Sequence, residues 1–314
     1  MQYSIIVPIY NDGYLAKAFC IELQKVFVSY LNLNNIENEI ELIFINDGSK
    51  NDSLLELKKL ISEFTFVKII DFSRNFGQHI ALSCGYKFAT GDFVIMLNVD
   101  MQDPPSEIIK LLQFMNSENC DIVYSLVHRR ETSFINRLTS KLFNHLLNFL
   151  TQEKIPNEVS TLRVMSRKFI DNYNALTEKS RYIPGIENWL GFKKGYVLIN
   201  HKKRLIGKSS YNLKTRINMA FESIISFSDF PLRLIVGFGI LICFIGFILT
   251  SYLVLSKIFY VDYQPGYTTT ISLITFLGGV QIMVIGLASL YIGRILREVQ
   301  NRPLYVINEK INLS

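Results

Sequence analysis

The sequence predicts an α/β fold whose mixed, mostly parallel sheet is followed by interfacial helices and two transmembrane helices. Three observations predict it. Up to Leu126, short apolar runs alternate with segments of helical periodicity, which is the order expected of parallel strands and crossover helices. Each apolar run ends in a loop rich in Asn, Asp, Gly and Ser. Near the C-terminus, two uncharged runs each exceed the roughly 20 residues that cross a bilayer.

The first predicted strand, Ser4–Tyr10, ends in the loop Asn11-Asp12-Gly13, and a helix is predicted at about Leu15–Leu31. The other strands are predicted at Ile40–Ile45, Val67–Phe72, Phe93–Leu97 and Ile122–Leu126, and the other helices at about Asp52–Phe64, Gln78–Ala89 and from Pro105 to Met115. Parallel strands end at the same edge of their sheet, so the polar loops that follow them are expected to meet there.

An amphipathic segment follows at Phe134–Leu150, where apolar residues share one helical face and basic residues lie among the rest. This pattern is typical of an interfacial helix. It is equally typical of a helix packed on the sheet, and both interpretations stay open. Asn218–Phe227, shortly before the first uncharged run, is a second interfacial candidate.

The uncharged runs Leu234–Ser256 and Thr268–Gly293 are predicted to cross a membrane. Arginines flank their outer ends, whereas the loop between them carries only Lys257 and Asp262 as charges. The positive-inside rule therefore predicts that both termini are cytoplasmic and that the loop is outside. The apolar run Ile5–Ile9 is too short for a signal peptide and lacks a basic leader.

These patterns divide the chain into a cytoplasmic domain, a membrane hairpin and a tail, in a multi-pass protein of the inner (plasma) membrane. The predicted parts are the domain 1–212, a juxtamembrane interfacial helix 213–233, transmembrane helices 234–256 and 268–293 joined by an extracytoplasmic loop 257–267, and a cytoplasmic tail 294–314.

Composition narrows the function classes. Hydrophobic residues make up 49% of the chain, and the mean hydropathy of +0.22 is high for a purely soluble protein. The net charge of +6 suits an anionic membrane face and phosphorylated substrates. The sequence lacks a basic–aromatic stripe or a nucleic-acid motif, so we expect no nucleic-acid partner. The four cysteines are scattered without CxxC spacing, which fits a reduced cytosol and argues against zinc.

The loop after the fourth predicted strand concentrates oxygen-bearing side chains. Asn98, Asp100, Gln102 and Asp103 follow one another closely, and Pro104 and Pro105 come next. Oxygen ligands suit a hard divalent cation and the phosphates that it carries. Asp103 has a second interpretation, because Asp before Pro makes a good helix N-cap, and we favour the cap over a metal role.

Taken in order, these motifs resemble the family 2 glycosyltransferases of the GT-A (Rossmann-like) type. Within them the chain is most similar to the polyprenyl-phosphate glycosyltransferases, the group of dolichyl-phosphate mannose synthase and the bacterial undecaprenyl-phosphate glucosyltransferases. The matching segments are 8–12, 44–49, 73–77, 82–85, 98–104, 189–192, 204–211, 227–233, 278–281, 293–295 and 301–305. The resemblance covers nearly the whole chain.

The resemblance implies an inverting transfer of a sugar from a nucleotide diphosphate sugar, with UDP favoured over GDP, to undecaprenyl phosphate at the cytoplasmic membrane face. The product would serve in cell-envelope glycan modification. The implied cofactor is Mg²⁺ or Mn²⁺, bound by Asp100 and Gln102 with Asn98 offering a further oxygen. The donor's nucleoside would lie against Pro8, Tyr10, Asn11 and Asp47, where Asp47 also reads as a turn former. A homo-oligomer stays open.

Basic residues are implied to bind the phosphates. Arg204, Lys208, Ser209 and Tyr211 resemble the family's loop that closes over the diphosphate and the lipid phosphate, although a basic run can also be merely solvated. Arg129 and Arg130 are weaker candidates for the lipid phosphate. Glu187 is a spare carboxylate for catalysis, or else an exposed helix residue.

The chain departs from the family's pattern at Asn46, Asn98, Thr161 and Leu290, where carboxylates are usual. The losses at Asn46, Asn98 and Thr161 motivate an alternative, a non-catalytic nucleotide-sugar-binding membrane subunit or scaffold. A physical argument favours the enzyme. A phosphate monoester acceptor is largely ionised at pH 7, so it needs positioning more than deprotonation.

Overall fold

The computed structural model describes residues 2–32, 36–127, 159–179, 181–202 and 266–313, with isolated residues between 237 and 255. The chain forms two compact units. One comprises Met1–Leu213 together with Pro303–Ser314, and the other comprises Lys214–Arg302.

The first unit alternates strands and helices as the sequence predicts. Its strands are β1 Tyr3–Ile9, β2 Ile40–Asn46, β3 Val67–Phe72, β4 Phe93–Met96, β5 Ile122–Val127, β6 Val159–Ser166, β7 Lys194–Ile199 and β8 Ile307–Ile311. Its helices are α1 Ala16–Leu31, α2 Ser53–Leu60, α3 Gln78–Phe88, α4 Ile108–Glu118, α5 Arg167–Ala175 and α6 Ile183–Trp189. Short 3-10 turns at Gly13–Leu15 and Pro105–Glu107 precede α1 and α4.

The eight strands form one mixed sheet in the order β7-β5-β6-β4-β1-β2-β3-β8. The central strands are parallel, since β1 pairs in parallel with both β2 and β4, and β2 with β3. Strand β6 is antiparallel to β4 and β5. The predicted α/β class with a mixed, mostly parallel sheet is therefore confirmed. Strand order reverses between β1 and β4, which is where ligands bind in open α/β sheets.

Apolar strands buried on both faces form the core. Ile5, Ile6 and Val7 of β1 are completely buried, as expected for a parallel strand covered by helices on both sides. Helix α3 approaches β1 closely because Gly85 has no side chain. A Cβ at this position would lie 2.2 Å from Cγ2 of Ile6. Helix packing thus holds the central strands, and their carboxyl ends, in a fixed arrangement.

Strand β8 is a feature that sequence reasoning missed. We expected a simple tail over 294–314, but Ile307–Ile311 pairs antiparallel with β3 and extends the sheet. Tyr305 stacks on Phe72 with the ring centroids 5.1 Å apart. The strand is short and mostly polar, and its partner lies far away in the sequence, so no local pattern marks it.

In the second unit, helix α7 spans Tyr267–Val299. Among the described residues it is the one helix long and apolar enough to cross a membrane, over the 20 residues Val280–Val299. The predicted second transmembrane helix, 268–293, overlaps this stretch. The predicted first transmembrane helix, 234–256, and the two interfacial candidates lie outside the described residues, apart from isolated positions. Two transmembrane helices therefore stay a prediction.

Candidate active site

The loops after β1 and β2 are joined by hydrogen bonds at the carboxyl edge of the sheet. The backbone N–H of Asp47 donates to the carbonyl of Ile9 at 2.8 Å, and the N–H of Asn11 donates to Oγ of Ser49 at 2.9 Å. Asn11 has a φ of +63°, a left-handed conformation that Asn tolerates better than most residues. Its Oδ1 accepts the N–H of Lys50 at 2.9 Å. Asn11 thus fixes one loop against the other.

The structure brings the predicted nucleoside-binding residues to this edge. Pro8 is partly buried in β1 opposite Ile45, and Tyr10 follows the strand with 43% of its surface exposed. Asn11 and Asp47 begin the adjoining loops. An exposed aromatic ring at the end of a central strand offers a face on which a nucleobase can stack.

Asp47 links β2 to the loop before α3. Its carboxylate is 3% exposed and accepts the backbone N–H groups of Phe76 at 2.7 Å and Gly77 at 2.9 Å. Burial raises the pKa of Asp47, and the two hydrogen bonds oppose that shift. The predicted turn is also present, because Gly48 has a φ of +61° and lies so close to Arg74 that a Cβ would meet its carbonyl carbon at 2.3 Å.

Asn46 donates a hydrogen bond to a buried carboxylate. Its Nδ2 lies 2.7 Å from Oδ1 of Asp71, and Nδ2 of Asn308 lies 2.9 Å from Oδ2 of Asp71. An aspartate at position 46 would set two carboxylates against each other. The amide at this position is therefore matched to Asp71. These side chains line a cavity of about 640 Å³ between the loops that follow β2 and β3.

The acidic loop, residues 97–104, follows β4 at the point where strand order reverses. Met101 lies in the left-handed region with a φ of +51°, which is uncommon for a residue with a long side chain. The N–H of Gln102 faces Oδ1 of Asp100 at 3.3 Å, and Oδ1 of Asn98 accepts Nε2 of Gln78 at the same distance. The side chain of Asp100 thus bonds back to its own loop, while Asn98 contacts helix α3.

Asp103 does not cap a helix, so our preferred interpretation was wrong. Pro104 occupies the N-cap position of the following 3-10 turn, which has no side-chain cap. Asp103 is buried and instead accepts the hydroxyl groups of Ser160 at 2.6 Å and Thr161 at 3.0 Å and the N–H of Leu162 at 3.1 Å. Burial by itself would raise the pKa of Asp103, but the hydrogen bonds, that from Ser160 first, outweigh it and lower the pKa.

Asp103 also binds the segment that leads into the basic run. Nδ1 of His201 lies 2.8 Å from Oδ1 of Asp103. The backbone N–H of Lys202 donates to the carbonyl of Gln102, also at 2.8 Å. Two successive residues are thus held against the acidic loop.

The acidic loop fits a metal that arrives with a diphosphate. Among the described residues, no group of three or more His, Cys, Asp and Glu side chains is arranged to hold a metal ion. Asp100 and Gln102 offer two oxygen ligands, one of them charged. Mg²⁺ is commonly bound by one or two carboxylates together with substrate phosphates and water. The residues present suit such a site and not a closed protein cage.

Glu187 is buried in an ion pair, so its alternative interpretation as an exposed helix residue was wrong. It is 1% exposed, and its carboxylate lies 2.6 Å from Nη1 of Arg163 on β6. The hydroxyl of Tyr124 donates to it at 3.1 Å. Burial would lower the pKa of Arg163, but Glu187 raises it, which keeps the guanidinium charged. Glu187 therefore orients Arg163.

His79 stands at the first turn of α3, near this ion pair. Burial, with a further contribution from the charge of Arg163, lowers the pKa of His79 to about 4. The ring contacts Tyr182 edge to face, with the centroids 5.5 Å apart. His79 is thus neutral at pH 7.

Several residues of this edge were missed by sequence reasoning, and others lie outside the described residues. Asp71 carried a signal, because it is a carboxylate in a mostly apolar strand. No pattern in the sequence marked Asn308 or Ser160 as part of the site. The predicted residues outside the described part of the chain are Arg129, Arg204, Lys208, Ser209 and Tyr211.

Comparisons with known proteins agree on one family. The family model of glycosyl transferase family 2 matches residues 4–173. The SfII prophage-derived bactoprenol glucosyl transferase of Shigella flexneri is 34% identical over 310 residues, which cover 98% of each chain. The glycosyltransferase YkcC of Bacillus subtilis is 32% identical over 315 residues, which cover 100% of this chain and 95% of YkcC.

Among solved structures, glucosyl-3-phosphoglycerate synthase from Mycobacterium tuberculosis, in complex with Mg²⁺ and UDP, matches with a TM-score of 0.47 at 17% identity. The match covers 71% of this chain and 77% of that chain.

Proposed function

We propose, from the premise that this chain belongs to glycosyl transferase family 2, that it transfers a hexose-like sugar from a nucleotide diphosphate sugar to undecaprenyl phosphate. The observation that carries the proposal is the acidic loop at the reversal of strand order, with the segment 201–202 held against it. The similarity to bactoprenol glucosyl transferases over nearly the whole chain supports the lipid acceptor.

The donor would bind across the loops that follow β1, β2 and β4. The nucleobase stacks on Tyr10, and the nucleoside contacts Pro8, Asn11 and Asp47. Both oxygens of Asp47 already accept backbone N–H groups, yet each carboxylate oxygen has a second lone pair that a uracil N–H can use. UDP is the favoured nucleotide.

The diphosphate would lie over the acidic loop. Asp100 and Gln102 would hold a divalent cation there, and such a cation would neutralise charge on a departing nucleotide diphosphate. Arg204 follows two positions after Lys202, whose backbone is bound to Gln102. The guanidinium of Arg204, with Lys208, Ser209 and Tyr211, binds phosphate oxygens, for which its planar fork is suited.

The acceptor needs little help from a base. A phosphate monoester has its second pKa near 6, so the attacking oxygen carries charge at pH 7. Attack on the anomeric carbon opposite the departing diphosphate inverts the configuration. The chain's task is to hold both substrates in line and to exclude water. Glu187 serves this task by orienting Arg163.

A membrane location would bring the acceptor to the site. Helix α7 supplies one candidate span, and 234–256 is the proposed second. Both termini then lie in the cytoplasm, where nucleotide sugars are used, and the protein resides in the inner membrane.

Asp100 gives the sharpest test. We expect Asp100→Asn to lower the transfer rate at least about a hundredfold, because a lost metal carboxylate removes several kcal/mol of charge stabilisation. Purified full-length protein receives undecaprenyl phosphate, Mn²⁺ and a panel of labelled UDP- and GDP-sugars, and lipid-linked sugar is measured. Asp171→Asn, which alters an exposed carboxylate on α5, is the matched control and retains full activity.

Two outcomes would contradict the proposal. Wild-type rates in Asp100→Asn would reject the metal site. Measurable nucleotide-sugar binding without transfer from any donor would reject the enzyme in favour of a binding subunit.

A further inference from the structure

Strand β8 is bound firmly to the first unit beside the donor edge. Tyr305 stacks on Phe72, and Nζ of Lys58 lies 2.5 Å from a carboxylate oxygen of Glu309. The backbone N–H of Ser73 donates to the carbonyl of Val306 at 3.0 Å. The segment that follows helix α7 in the sequence is therefore an integral part of the sheet.

A continuous series of hydrogen bonds runs from β8 to the loop after β1. Nδ2 of Asn308 donates to Asp71 at 2.9 Å, and Nδ2 of Asn46 donates to the other oxygen of Asp71 at 2.7 Å. Oγ of Ser49 donates to Oδ1 of Asn46 at 2.6 Å, and the N–H of Asn11 donates to Oγ of Ser49 at 2.9 Å. We call these five residues the Asp71 chain.

The direction of every bond in the Asp71 chain follows from the carboxylate. An ionised carboxylate only accepts hydrogen bonds, so the amide group of Asn46 must turn its NH₂ toward Asp71. Its carbonyl oxygen then faces Ser49 and receives the hydroxyl proton. The lone pairs of Ser49 are left for the N–H of Asn11. Asp71 and Asn46 are buried, Asn11 and Ser49 are partly buried, and Asn308 is exposed. Polar networks whose groups are all hydrogen-bonded rigidify the groups that they join.

The end of the Asp71 chain is a backbone position that requires support. Asn11 has a φ of +63°, and unfavourable backbone conformations persist where the surrounding structure fixes them. Tyr10, directly before it, is the exposed aromatic at the donor edge.

We infer that Asn308 is a positioning residue for the donor. Through the Asp71 chain it holds the backbone at Asn11, and with it Tyr10, in the conformation that receives the nucleoside. The donor role rests on the proposed function, whereas the mechanical link between β8 and Asn11 does not.

The first experiment measures the link itself. Amide hydrogen exchange at Asn11 is followed in the purified full-length protein. We expect faster exchange in Asn308→Asp, which keeps the side-chain size but removes the donor, and in Asn308→Ala. Asn312→Ala is the matched control, because Asn312 directly follows β8 and its amide donates to the carbonyl of Val67, outside the Asp71 chain. Unchanged exchange at Asn11 in both Asn308 variants overturns the inference.

A reciprocal exchange separates hydrogen bonding from packing. In the double variant Asp71→Asn with Asn308→Asp, the amide now at position 71 can donate to position 308 and still accept from Asn46. We expect exchange at Asn11 to return toward the wild-type rate. A double variant that exchanges as fast as Asn308→Asp contradicts the inferred direction of the bonds.

The second experiment measures the donor. We expect KM for the nucleotide sugar to rise about two- to tenfold in Asn308→Ala, the range for one lost hydrogen bond, with kcat within about twofold. Asn312→Ala keeps the wild-type KM. A wild-type KM together with faster exchange at Asn11 overturns the positioning role. Absence of transfer by the wild type from every donor rejects the proposed function, and the exchange rates then decide the link alone.

Discussion

At the scale of single residues, two of the departures from the family's acidic pattern are matched by a neighbouring carboxylate. Asn46 donates to Asp71, and Thr161 donates to Asp103. A carboxylate in either place would face another carboxylate within hydrogen-bonding distance. The chain has thus kept one negative charge at each position and surrounded it with donors. These losses of acidic residues therefore do not argue against catalysis.

Thr161 gives a prediction at this scale. We expect Thr161→Asp to lower the free energy of unfolding by roughly 2–4 kcal/mol, because two unit charges about 4 Å apart repel by that order at an effective dielectric constant near 20. Denaturant unfolding of the purified protein measures it. Thr161→Ser keeps the hydroxyl and is the control. Adding Asp103→Asn to Thr161→Asp should restore most of the loss, and wild-type stability in Thr161→Asp alone would show that the two side chains do not share a site.

The residue types of the site were predictable, but their partners were not. Asn98, Asp100 and Gln102 were found because they follow a strand directly. The hydroxyl of Ser160 and the ring of His201, which bind Asp103, stand 57 and 98 residues further along the chain. A local Asp-Pro pattern favours a cap, and tertiary contacts overrode it. Likewise, no sequence pattern indicated that Glu187 would be buried against Arg163.

At the scale of elements, carboxylates at both ends of the strands join neighbouring strands. At the carboxyl edge Asp71 joins β3 to β2 and β8. At the amino edge Glu41 of β2 is buried and accepts the hydroxyl of Ser4 on β1 at 2.5 Å and the N–H of Thr90 before β4 at 2.6 Å. Nζ of Lys68 on β3 lies 2.5 Å from it. Three adjacent strands and the loop before β4 therefore meet at one side chain.

Strands were predicted well where an apolar run is bounded by turn residues. Val67–Phe72 is observed as predicted, and the first strand is displaced by a single residue. Strands β6, β7 and β8 were not predicted. β6 carries Arg163 in its interior and β8 is mostly polar, so neither shows an apolar run, whereas β7 contains one at 196–199 that sequence reasoning missed. Strands β6 and β8 depend on partners that are distant in the sequence.

Glu41 gives a prediction of pH dependence. Burial by itself would raise the pKa of Glu41, but the hydrogen bonds from Lys68, Ser4 and Thr90 outweigh it and lower the pKa below its ordinary value of 4.5. Its stabilising contribution is therefore fully present above pH 4.5 and is lost as the pH falls through the lowered pKa. We expect Glu41→Gln to lower the unfolding free energy by about 1–3 kcal/mol at pH 7. We also expect the unfolding free energy of this variant to depend less on pH below pH 4.5.

The control for Glu41 is an exposed ion pair. Lys17 and Glu63 are in contact, but their side chains are 57% and 42% exposed. Glu63→Gln should change the unfolding free energy by less than about 1 kcal/mol. Denaturant unfolding from pH 3 to pH 7 compares both variants with the wild type. Equal effects of the two substitutions would show that burial of Glu41 adds nothing.

At the scale of the whole molecule, the sheet constrains the path of the chain through a membrane. Strand β8 pairs with β3, so if the chain crosses a membrane after β7, it must return to the same side by Ile307. The number of crossings would then be even. If α7 crosses once over Val280–Val299, a second crossing must lie in 203–265. A contact between two strands thereby supports a hairpin that hydropathy alone suggested.

The even number of membrane crossings gives the last prediction. A cysteine at Gln264, in the loop between the two proposed spans, should react with a membrane-impermeant thiol reagent in intact cells. Lys25→Cys, at an exposed position on α1, is the control and should react only after permeabilisation.

Cys20, Cys84 and Cys120 are buried, and burial raises the pKa of the Cys20 and Cys84 thiols to about 12, so their background reaction is slow. Cys243→Ser removes the fourth. Labelling of Lys25→Cys in intact cells would overturn the predicted orientation. Protection of both Gln264→Cys and Lys25→Cys in intact cells would reject the hairpin, because the loop would then lie on the same side as the first unit. That result would leave α7 without a returning crossing, and because β8 is fixed in the sheet, α7 itself could then not span the membrane.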